Sequence, residues 1–308
     1  MGPLRAGLGY SARHTNDMMP LSPTDPFYFN EINTSPEKSE TTIETDLNSR
    51  HGTDGNTIKE IKEQFLILSN MSISEAGAYK AVSALRTHSQ SDPTGILITN
   101  LSGIKPIVWT MHNFSESSII QKTSCGALQN LSCSDKGQKA MVVEGGIGAV
   151  LMAMRLHPDC CKVQQYATAV LRNMAAYEKT NRDIIARDGG ILTILSSMLT
   201  CQKYAQMQEN ACAALGNLMI KNRKNVKIAE QGDAFRIITV AMLWHSESVG
   251  VQEKGCFALS QLTCADRNVQ LLQEEDAKYF VEKAMRSFPE RCERYGQSFL
   301  RRLQLSSL

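Results

Sequence analysis

The stretch VEGGIGAVLMAMRLHPDCCKVQQYATAVLRNM occupies residues 143–174, and the stretch RDGGILTILSSMLTCQKYAQMQENACAALGNLM occupies residues 187–219. Each begins near a glycine pair, continues through a short apolar segment, and carries an asparagine close to its end. Two segments built on one plan indicate an internal repeat, and the period of a repeat identifies the architecture that it forms.

Three sequence markers repeat with a period of about 43 residues. The tetrads ALRT, ALQN, VLRN, ALGN and ALSQ begin at Ala84, Ala127, Val170, Ala214 and Ala258, at intervals of 43, 43, 44 and 44 residues. A glutamine recurs at Gln121, Gln164, Gln208 and Gln252, and a glycine at Gly103, Gly146 and Gly190, with Gly232 one or two places out of register. Agreement among three markers is the signature of a repeat protein.

Within each repeat, apolar residues recur at spacings of three and four, which predicts helices, and no segment alternates as a half-buried strand does. In one unit, KGQKAMVVEGG predicts a short first helix, IGAVLMAMRLH a second and CKVQQYATAVLRNMAAY a longer third. This pattern resembles the armadillo-repeat family over residues 56–308, as about six units with degenerate terminal ones. The resemblance implies an all-α fold, a right-handed α-solenoid or superhelix.

The segment GGIGAVLMAMRLHPD, which is followed by VQQ, is most similar to the armadillo regions of leucine-rich-repeat kinases. No kinase motif is present in the sequence, so the resemblance implies no kinase activity. The motifs of serine hydrolases, zinc proteases and nucleotide-binding loops are absent as well. We therefore expect a non-enzymatic protein that uses neither a cofactor nor a bound metal ion.

The first 55 residues differ in composition from the rest of the chain. They carry 4 Lys or Arg and 8 Asp or Glu, a net charge of −4, whereas residues 56–308 carry 29 and 23, a net charge of +6. The segment is rich in Ser, Thr, Pro, Asp and Asn and lacks sustained periodicity. This composition predicts a disordered acidic N-terminal tail over residues 1–55.

The nine cysteines are an odd number in a chain with no secretory signal peptide and no apolar run that could span a membrane. This indicates a reducing intracellular compartment. We expect the cytoplasm, with the nucleus as the alternative. Cys125, Cys212 and Cys256 occupy the same place in three units, which predicts a slot for a small buried residue on the third helix. We expect the neighbouring Cys160 and Cys161 to be exposed in a loop.

In armadillo solenoids the third helices line a concave groove. One asparagine per unit falls on the third helix, at Asn130, Asn173 and Asn217, and Gln261 takes this place in the last clear unit. In peptide-binding members of the family, the equivalent asparagine pairs with the backbone of an extended ligand. Units about 10 Å apart match about three residues of an extended chain. The alternative is that the asparagine ties its helix to the neighbouring unit.

Further candidate groove residues share the predicted face of the third helices. They are Lys122, Gln165, Glu209, Glu253, Tyr177, Lys221 and Phe257. Nuclear-import receptors of the family carry tryptophan where this chain has Gly126, Ala169, Ala213 and Phe257, so binding of nuclear-import signals is not expected. The charged residues predict a groove of mixed charge that is more acidic toward its C-terminal end.

We expect a monomeric scaffold that binds a protein or peptide partner in this groove, as an extended segment or as a helix. Two alternatives stay open. The array binds its own tail through the aromatic residues 27–29, or it binds an acidic surface through the basic segments 221–227 and 291–302. In this second alternative the ligand is an acidic lipid headgroup or a nucleic acid. We do not expect a nucleic acid to be the partner of this protein.

Overall fold

The computed structural model describes the backbone of residues 55–262 and 271–306, and the side chains of residues 55–262 and 277–303. The predicted tail lies outside these ranges, apart from Gly55. Every regular element within them is a helix, and these described ranges contain no strand. The all-α solenoid predicted from the repeat is therefore confirmed.

The described residues form 16 helices, numbered here in chain order. They are α1 (Gly55–Leu68), α2 (Glu75–His88), α3 (Asp92–Asn100), α4 (Ile104–Asn113), α5 (Ser118–Leu131), α6 (Asp135–Val143), α7 (Gly146–Leu156), α8 (Cys161–Ala176), α9 (Lys179–Arg187), α10 (Gly190–Thr200), α11 (Ala205–Met219), α12 (Arg223–Gln231), α13 (Ala234–Trp244), α14 (Val249–Leu262), α15 (Leu271–Ser287) and α16 (Pro289–Ser306). From α3 to α14 they form successive sets of a first, a second and a third helix, and α1–α2 and α15–α16 flank these sets.

A left-handed residue separates the first helix from the second in every complete set. The backbone φ angle is 57° at Ser102, 71° at Gly145, 80° at Gly189 and 61° at Asp233. These positions are 43 or 44 residues apart, so they mark the repeat more faithfully than the glycines do. The marker glycine follows the left-handed residue, and in the fourth set this place is taken by Ala234, so Gly232 lies two places before it. The left-handed residue there is Asp233, a residue type that tolerates this conformation.

The repeated glutamine holds the end of the second helix in every complete set. Its Nε2 donates to the carbonyl oxygens seven and ten residues earlier, at 2.8–3.1 Å. The four glutamines are Gln121, Gln164, Gln208 and Gln252, and all are buried. The last carbonyls of a helix have no partner within the helix, so a buried side-chain amide satisfies them.

The third helices pack side by side in the order α2, α5, α8, α11, α14 and α16. Cys125, Cys212 and Cys256 are fully buried on them, which confirms the predicted slot for a small residue. Burial raises the pKa of Cys125 and Cys212 to about 12. These thiols therefore stay protonated at neutral pH and serve packing.

The residue that ends a second helix contacts the preceding unit at three successive positions. Nε2 of His157 lies 2.6 Å from the carbonyl oxygen of Ser115, and Nε2 of His245 lies 2.7 Å from that of Gln202. At the unit between them the equivalent residue is Cys201, which forms a disulfide with Cys161 across a Cα–Cα distance of 5.6 Å.

The expectation for the neighbouring cysteines was wrong in its placement of Cys161. This residue is the first of α8 and is bonded to Cys201, whereas Cys160 is a free, half-buried thiol. The two bonded cysteines are 40 residues apart. That separation is close to one repeat, so stacking of the units brings the two residues together and no local spacing announces the bond.

Candidate functional site

The third helices expose one face, which we call the third-helix surface, formed by α2, α5, α8, α11 and α14. Lys122, Gln165 and Glu209 lie on it at equivalent places in three consecutive units, and each is partly exposed. The fourth equivalent, Glu253, is buried. The structure thus brings most of the predicted groove residues onto one continuous surface.

The predicted asparagines bond to the preceding unit. Nδ2 of Asn130 donates to Ser89 Oγ at 3.0 Å, Nδ2 of Asn173 donates to the carbonyl oxygen of Gln129 at 3.2 Å, and Nδ2 of Asn217 donates to that of Arg172 at 3.1 Å. Each bond spans 41 to 45 residues of sequence, so it joins the third helices of adjacent units.

The amide oxygens of these asparagines are in different situations. Oδ1 of Asn173 accepts from the guanidinium of Arg172, at 3.2 Å from Nε and 3.1 Å from Nη2. Within the described part of the chain, Oδ1 of Asn130 and of Asn217 accepts no hydrogen bond, and both residues are half-buried at the surface. These two oxygens can accept a hydrogen bond from a ligand.

Two long side chains cross the floor of the surface over glycines. The guanidinium of Arg86, on α2, stacks at 4.5 Å on the ring of Tyr166, on α8. It passes over α5 at Gly126, where a Cβ would lie 2.6 Å from Nε of Arg86. The interaction thus spans three consecutive third helices, and a cation on an aromatic face is favourable by about 0.5–2 kcal/mol.

At the opposite end of the surface, the ring of Phe257 covers Gly216, where a Cβ would lie 2.3 Å from the ring. Phe257 also packs against Tyr295 of α16, with ring centroids 5.1 Å apart. The predicted aromatic anchor is therefore part of the packing between units. Sequence reasoning missed Arg86, Tyr166 and Tyr295. Arg86 recurs as Arg172 at the same place of a later tetrad, whereas Tyr166 has no aromatic equivalent in the other clear units.

Of the residues on which the predicted acidity of the C-terminal end depends, Glu253 is paired with basic side chains. Its carboxylate bonds to Nζ of Lys254 at 2.6 Å and to Nε of Arg291 at 2.6 Å. Burial alone would raise the pKa of Glu253, but the hydrogen bonds from Lys254 and Arg291 lower it below its ordinary value of 4.5. Arg291 belongs to α16, which sequence reasoning did not place beside α14.

The remaining predicted site residues lie at the edges of the surface. Tyr177 and Lys221 follow the ends of α8 and α11, and both are exposed. Among the described residues, Gln261 donates to the neighbouring Ser260 at 3.2 Å and makes no bond to another unit.

The two basic segments that were predicted to bind an acidic surface differ in how their basic side chains are engaged. In residues 291–302, Arg291 is engaged by Glu253, and Nη1 of Arg302 donates to the carbonyl oxygen of Ser260. In residues 221–227, Lys224 and Lys227 are exposed on α12. No described helix is both long and apolar enough to cross a membrane.

Residues 79–292 match the family model described as LRRK2 ARM repeat. Among curated proteins, Protein aardvark of Dictyostelium discoideum is 35% identical over 88 residues, which are 26% of this chain and 12% of that protein. The matched region is therefore a small part of this relative's length.

Two solved structures share the fold. A designed armadillo repeat protein aligns with a TM-score of 0.66 at 16% identity, over 78% of this chain and 98% of its own. A second designed armadillo repeat protein, in complex with the peptide (KR)4, aligns with a TM-score of 0.62 at 13% identity, over 79% of this chain and 99% of its own. At these identities the likeness shows the fold alone.

Proposed function

Because the chain belongs to the LRRK2 ARM repeat family, whose model matches residues 79–292, we propose that it is a non-enzymatic scaffold for a protein partner. The partner presents an extended segment, and the third-helix surface binds it. The protein acts as a monomer inside the cell, and the cytoplasm is the compartment that we propose.

One observation carries this proposal: the surface is continuous across α2, α5, α8, α11 and α14, and polar side chains recur on it once per unit. Lys122, Gln165 and Glu209 are partly exposed there. The carboxylate of Glu209 lies over Gly250 at the start of α14. Side chains that repeat at a fixed interval match the repeating backbone of an extended peptide. The designed protein solved with (KR)4 supports the proposal, since its fold is similar and its ligand is a peptide.

The asparagines offer fewer atoms to a peptide ligand than the sequence predicted. Their Nδ2 atoms hold the units together, which leaves Oδ1 of Asn130 and Asn217 for a peptide N–H. These residues are two units apart, about 20 Å, or about six residues of an extended chain. Ligand contacts at this interval are consistent with a peptide that follows the surface.

The test is a selection of binding peptides from a random display library on the immobilised full chain. Binding of the selected peptides is then compared between the parent, the variant Lys122→Ala/Gln165→Ala/Glu209→Ala and the control Lys224→Ala/Lys227→Ala. Circular dichroism first establishes that all three proteins are helical and melt alike. We expect a loss of about tenfold or more in the first variant and no loss in the control.

Equal binding by all three proteins would place the ligand elsewhere and reject the proposal. A loss confined to the control would move the binding site to the basic face of α12.

A further inference from the structure

Three basic residues on the N-terminal half of the third-helix surface have no acidic partner. We call Arg86 on α2, Lys122 on α5 and Arg172 on α8 the basic trio. No carboxylate in the described residues lies within 4.0 Å of any of them. The helices α5 and α8 contain no Asp or Glu. This part of the surface therefore has a positive charge that the described part of the solenoid does not compensate.

The guanidinium of Arg86 lies between two neutral surfaces. It stacks at 4.5 Å on the ring of Tyr166, and it crosses α5 over Gly126, where a Cβ would lie 2.6 Å from Nε. The next two units carry alanine at this place, Ala169 and Ala213, so the room for a flat guanidinium is particular to α5. The N–H groups of Arg86 donate to no described residue, which leaves the whole fork for a ligand.

The guanidinium of Arg172 is held by amide oxygens. Its Nε and Nη2 donate to Oδ1 of Asn173 at 3.2 and 3.1 Å, and its Nη1 donates to Oδ1 of Asn210 at 2.7 Å. Amide oxygens carry no formal charge, so these bonds fix the guanidinium and leave its charge intact. A cation that has already lost conformational freedom binds a carboxylate at a lower entropic cost.

The basic trio lies on neighbouring turns of α5 and α8. Lys122 is four residues before Gly126, over which Arg86 passes, and residues at this spacing are neighbours on one helix face. Tyr166, which carries the Arg86 guanidinium, is six residues before Arg172, or about 9 Å along α8. An extended chain that crosses α5 and α8 between these positions points successive side chains in opposite directions, so it reaches both.

The C-terminal half of the surface is compensated, in contrast to the basic trio. There the buried carboxylate of Glu253 is matched by Lys254 and Arg291. The carboxylate of Glu209 on α11 lies over Gly250 of α14, on the side of α11 that is away from α8. The chain therefore supplies no counter-charge to the N-terminal half, and a ligand complementary to that half is acidic.

We propose that the basic trio binds the carboxylate side chains of an acidic, extended peptide that a protein partner supplies. The fork of Arg86 binds one carboxylate, with the amine of Lys122 beside it, and Arg172 binds a second one on the other side of the peptide. The inference rests on the proposed function, because it names the charge of the segment that the third-helix surface binds. It also gives Gly126 a role, since the missing side chain lets Arg86 lie flat.

Two display libraries test the charge of the ligand. Both encode random peptides of one length, but the charged residues are restricted to Asp and Glu in the first library and to Lys and Arg in the second. Each library is selected on the immobilised full chain, and recovered peptides are labelled and titrated by fluorescence anisotropy. We expect the acidic library to be enriched about tenfold or more over the basic one. Binding should weaken at about 0.5 M salt, which screens exposed charges.

Two charge-matched variants locate the binding. The first replaces the basic trio, as Arg86→Gln/Lys122→Gln/Arg172→Gln. The second removes the same charge from exposed residues of α12, as Arg223→Gln/Lys224→Gln/Lys227→Gln. We expect the first to bind the acidic peptides about tenfold or more weakly and the second to bind them as the parent does. Lys122→Gln alone should weaken binding by about threefold or more, and it serves if the triple change at the trio lowers stability.

The variant Gly126→Ala moves the guanidinium of Arg86 without changing any charge. The added Cβ would lie 2.6 Å from Nε, and the end of this flexible side chain shifts easily, so the variant should remain folded. We expect it to bind the acidic peptides about threefold to tenfold more weakly. Gly148→Ala on α7, where nothing lies within 4 Å of an added Cβ, is the control and should bind as the parent does.

Preferential recovery of basic peptides would overturn the proposal, and so would equal losses in the two charge-matched variants. Tighter binding of a labelled single-stranded oligonucleotide, lost in the trio variant, would assign the trio to nucleic acid and overturn it as well. If peptides bind the third-helix surface and the trio variant keeps them, the acidic ligand fails and the scaffold function stands. If neither these libraries nor the random library yields a binding peptide, the scaffold function itself fails.

Discussion

Gln164 donates a hydrogen bond of 2.8 Å from its side-chain amide to the carbonyl oxygen of Met154, ten residues earlier. The same amide reaches the carbonyl oxygen of His157 at 2.8 Å, and its oxygen accepts from Ser197. One buried side chain on the third helix therefore bonds to the last carbonyl oxygens of the second helix and also contacts the next unit. The bonds from Nε2 recur at all four glutamines, whereas Oε1 of Gln121 and of Gln208 has no hydrogen-bond partner within the described residues. The recurrence of this glutamine therefore follows from its bonds to the end of the second helix.

Replacing Gln164 with the similarly shaped methionine should destabilise the protein by about 2–4 kcal/mol. Two buried carbonyl oxygens lose their donor, and a buried polar group without a partner costs about 1–3 kcal/mol. Urea denaturation gives the free energy of unfolding. Gln165→Met, one residue along and half-exposed, is the control and should change stability by less than about 0.5 kcal/mol. Equal effects of the two changes would refute this role.

Loss of the disulfide between Cys161 and Cys201 should lower stability in the absence of a reductant. The bond closes a segment of 40 residues, and the chain-entropy model gives about 4 kcal/mol for a loop of this length. We expect Cys201→Ser to melt at a lower temperature than the parent, and the parent to melt like the variant once a reductant is added. Cys160→Ser should leave the melting temperature unchanged. A parent protein insensitive to reductant would show that the bond does not form.

Replacing Glu253 with glutamine should have an effect that depends on pH. The folded-state pKa of Glu253 is lowered, so its ionised form stabilises the fold above about pH 4.5, and this contribution is lost as the pH falls through the folded-state pKa. We expect the variant to melt about 2–5 °C lower at neutral pH and to match the parent in acid. Glu293→Gln, an exposed change on α16, is the control. A difference independent of pH would contradict the ion-pair explanation.

Two glycine-to-alanine changes should have opposite signs. At Gly216 an added Cβ lies 2.3 Å from the ring of Phe257, so the ring must move and the protein loses about 1–3 kcal/mol. At Gly148, inside α7, nothing lies within 4 Å, and alanine should stabilise the helix by about 0.5–1 kcal/mol. Thermal denaturation of both variants measures the difference. A stabilising Gly216→Ala would mean that Phe257 does not pack there.

Asn173→Ala should destabilise the protein even in the absence of any ligand. The change removes the bonds to Gln129 and Ser132 and one acceptor of the Arg172 guanidinium, at a cost of about 1–3 kcal/mol. Asn113, exposed at the end of α4, is the matched control. If Asn173→Ala and Asn113→Ala unfold at the same urea concentration, the asparagine does not join the units.

Much of the fold followed from the sequence because a repeat states the same structural requirement several times. The spacing of apolar residues predicted the helices, and the interval of 43 or 44 residues predicted a solenoid with the slot for Cys125, Cys212 and Cys256. The candidate surface followed as well, because residues at one place in the repeat share one face when the units stack. Lys122, Gln165 and Glu209 lie together for that reason.

The tertiary structure alone decided which atoms those residues use and which residues meet across units. The repeated asparagine looks the same in sequence whether it binds a peptide or a neighbouring carbonyl, and only the packing assigns its Nδ2 to the preceding unit. Tyr166 and Arg291 do not repeat and carry no periodic signal, so the stacking of Arg86 on Tyr166 and the pairing of Glu253 with Arg291 were not predicted. Such contacts depend on the distances between side chains of different units. The period of the sequence constrains how the backbones of the units stack, but it does not fix these side-chain distances.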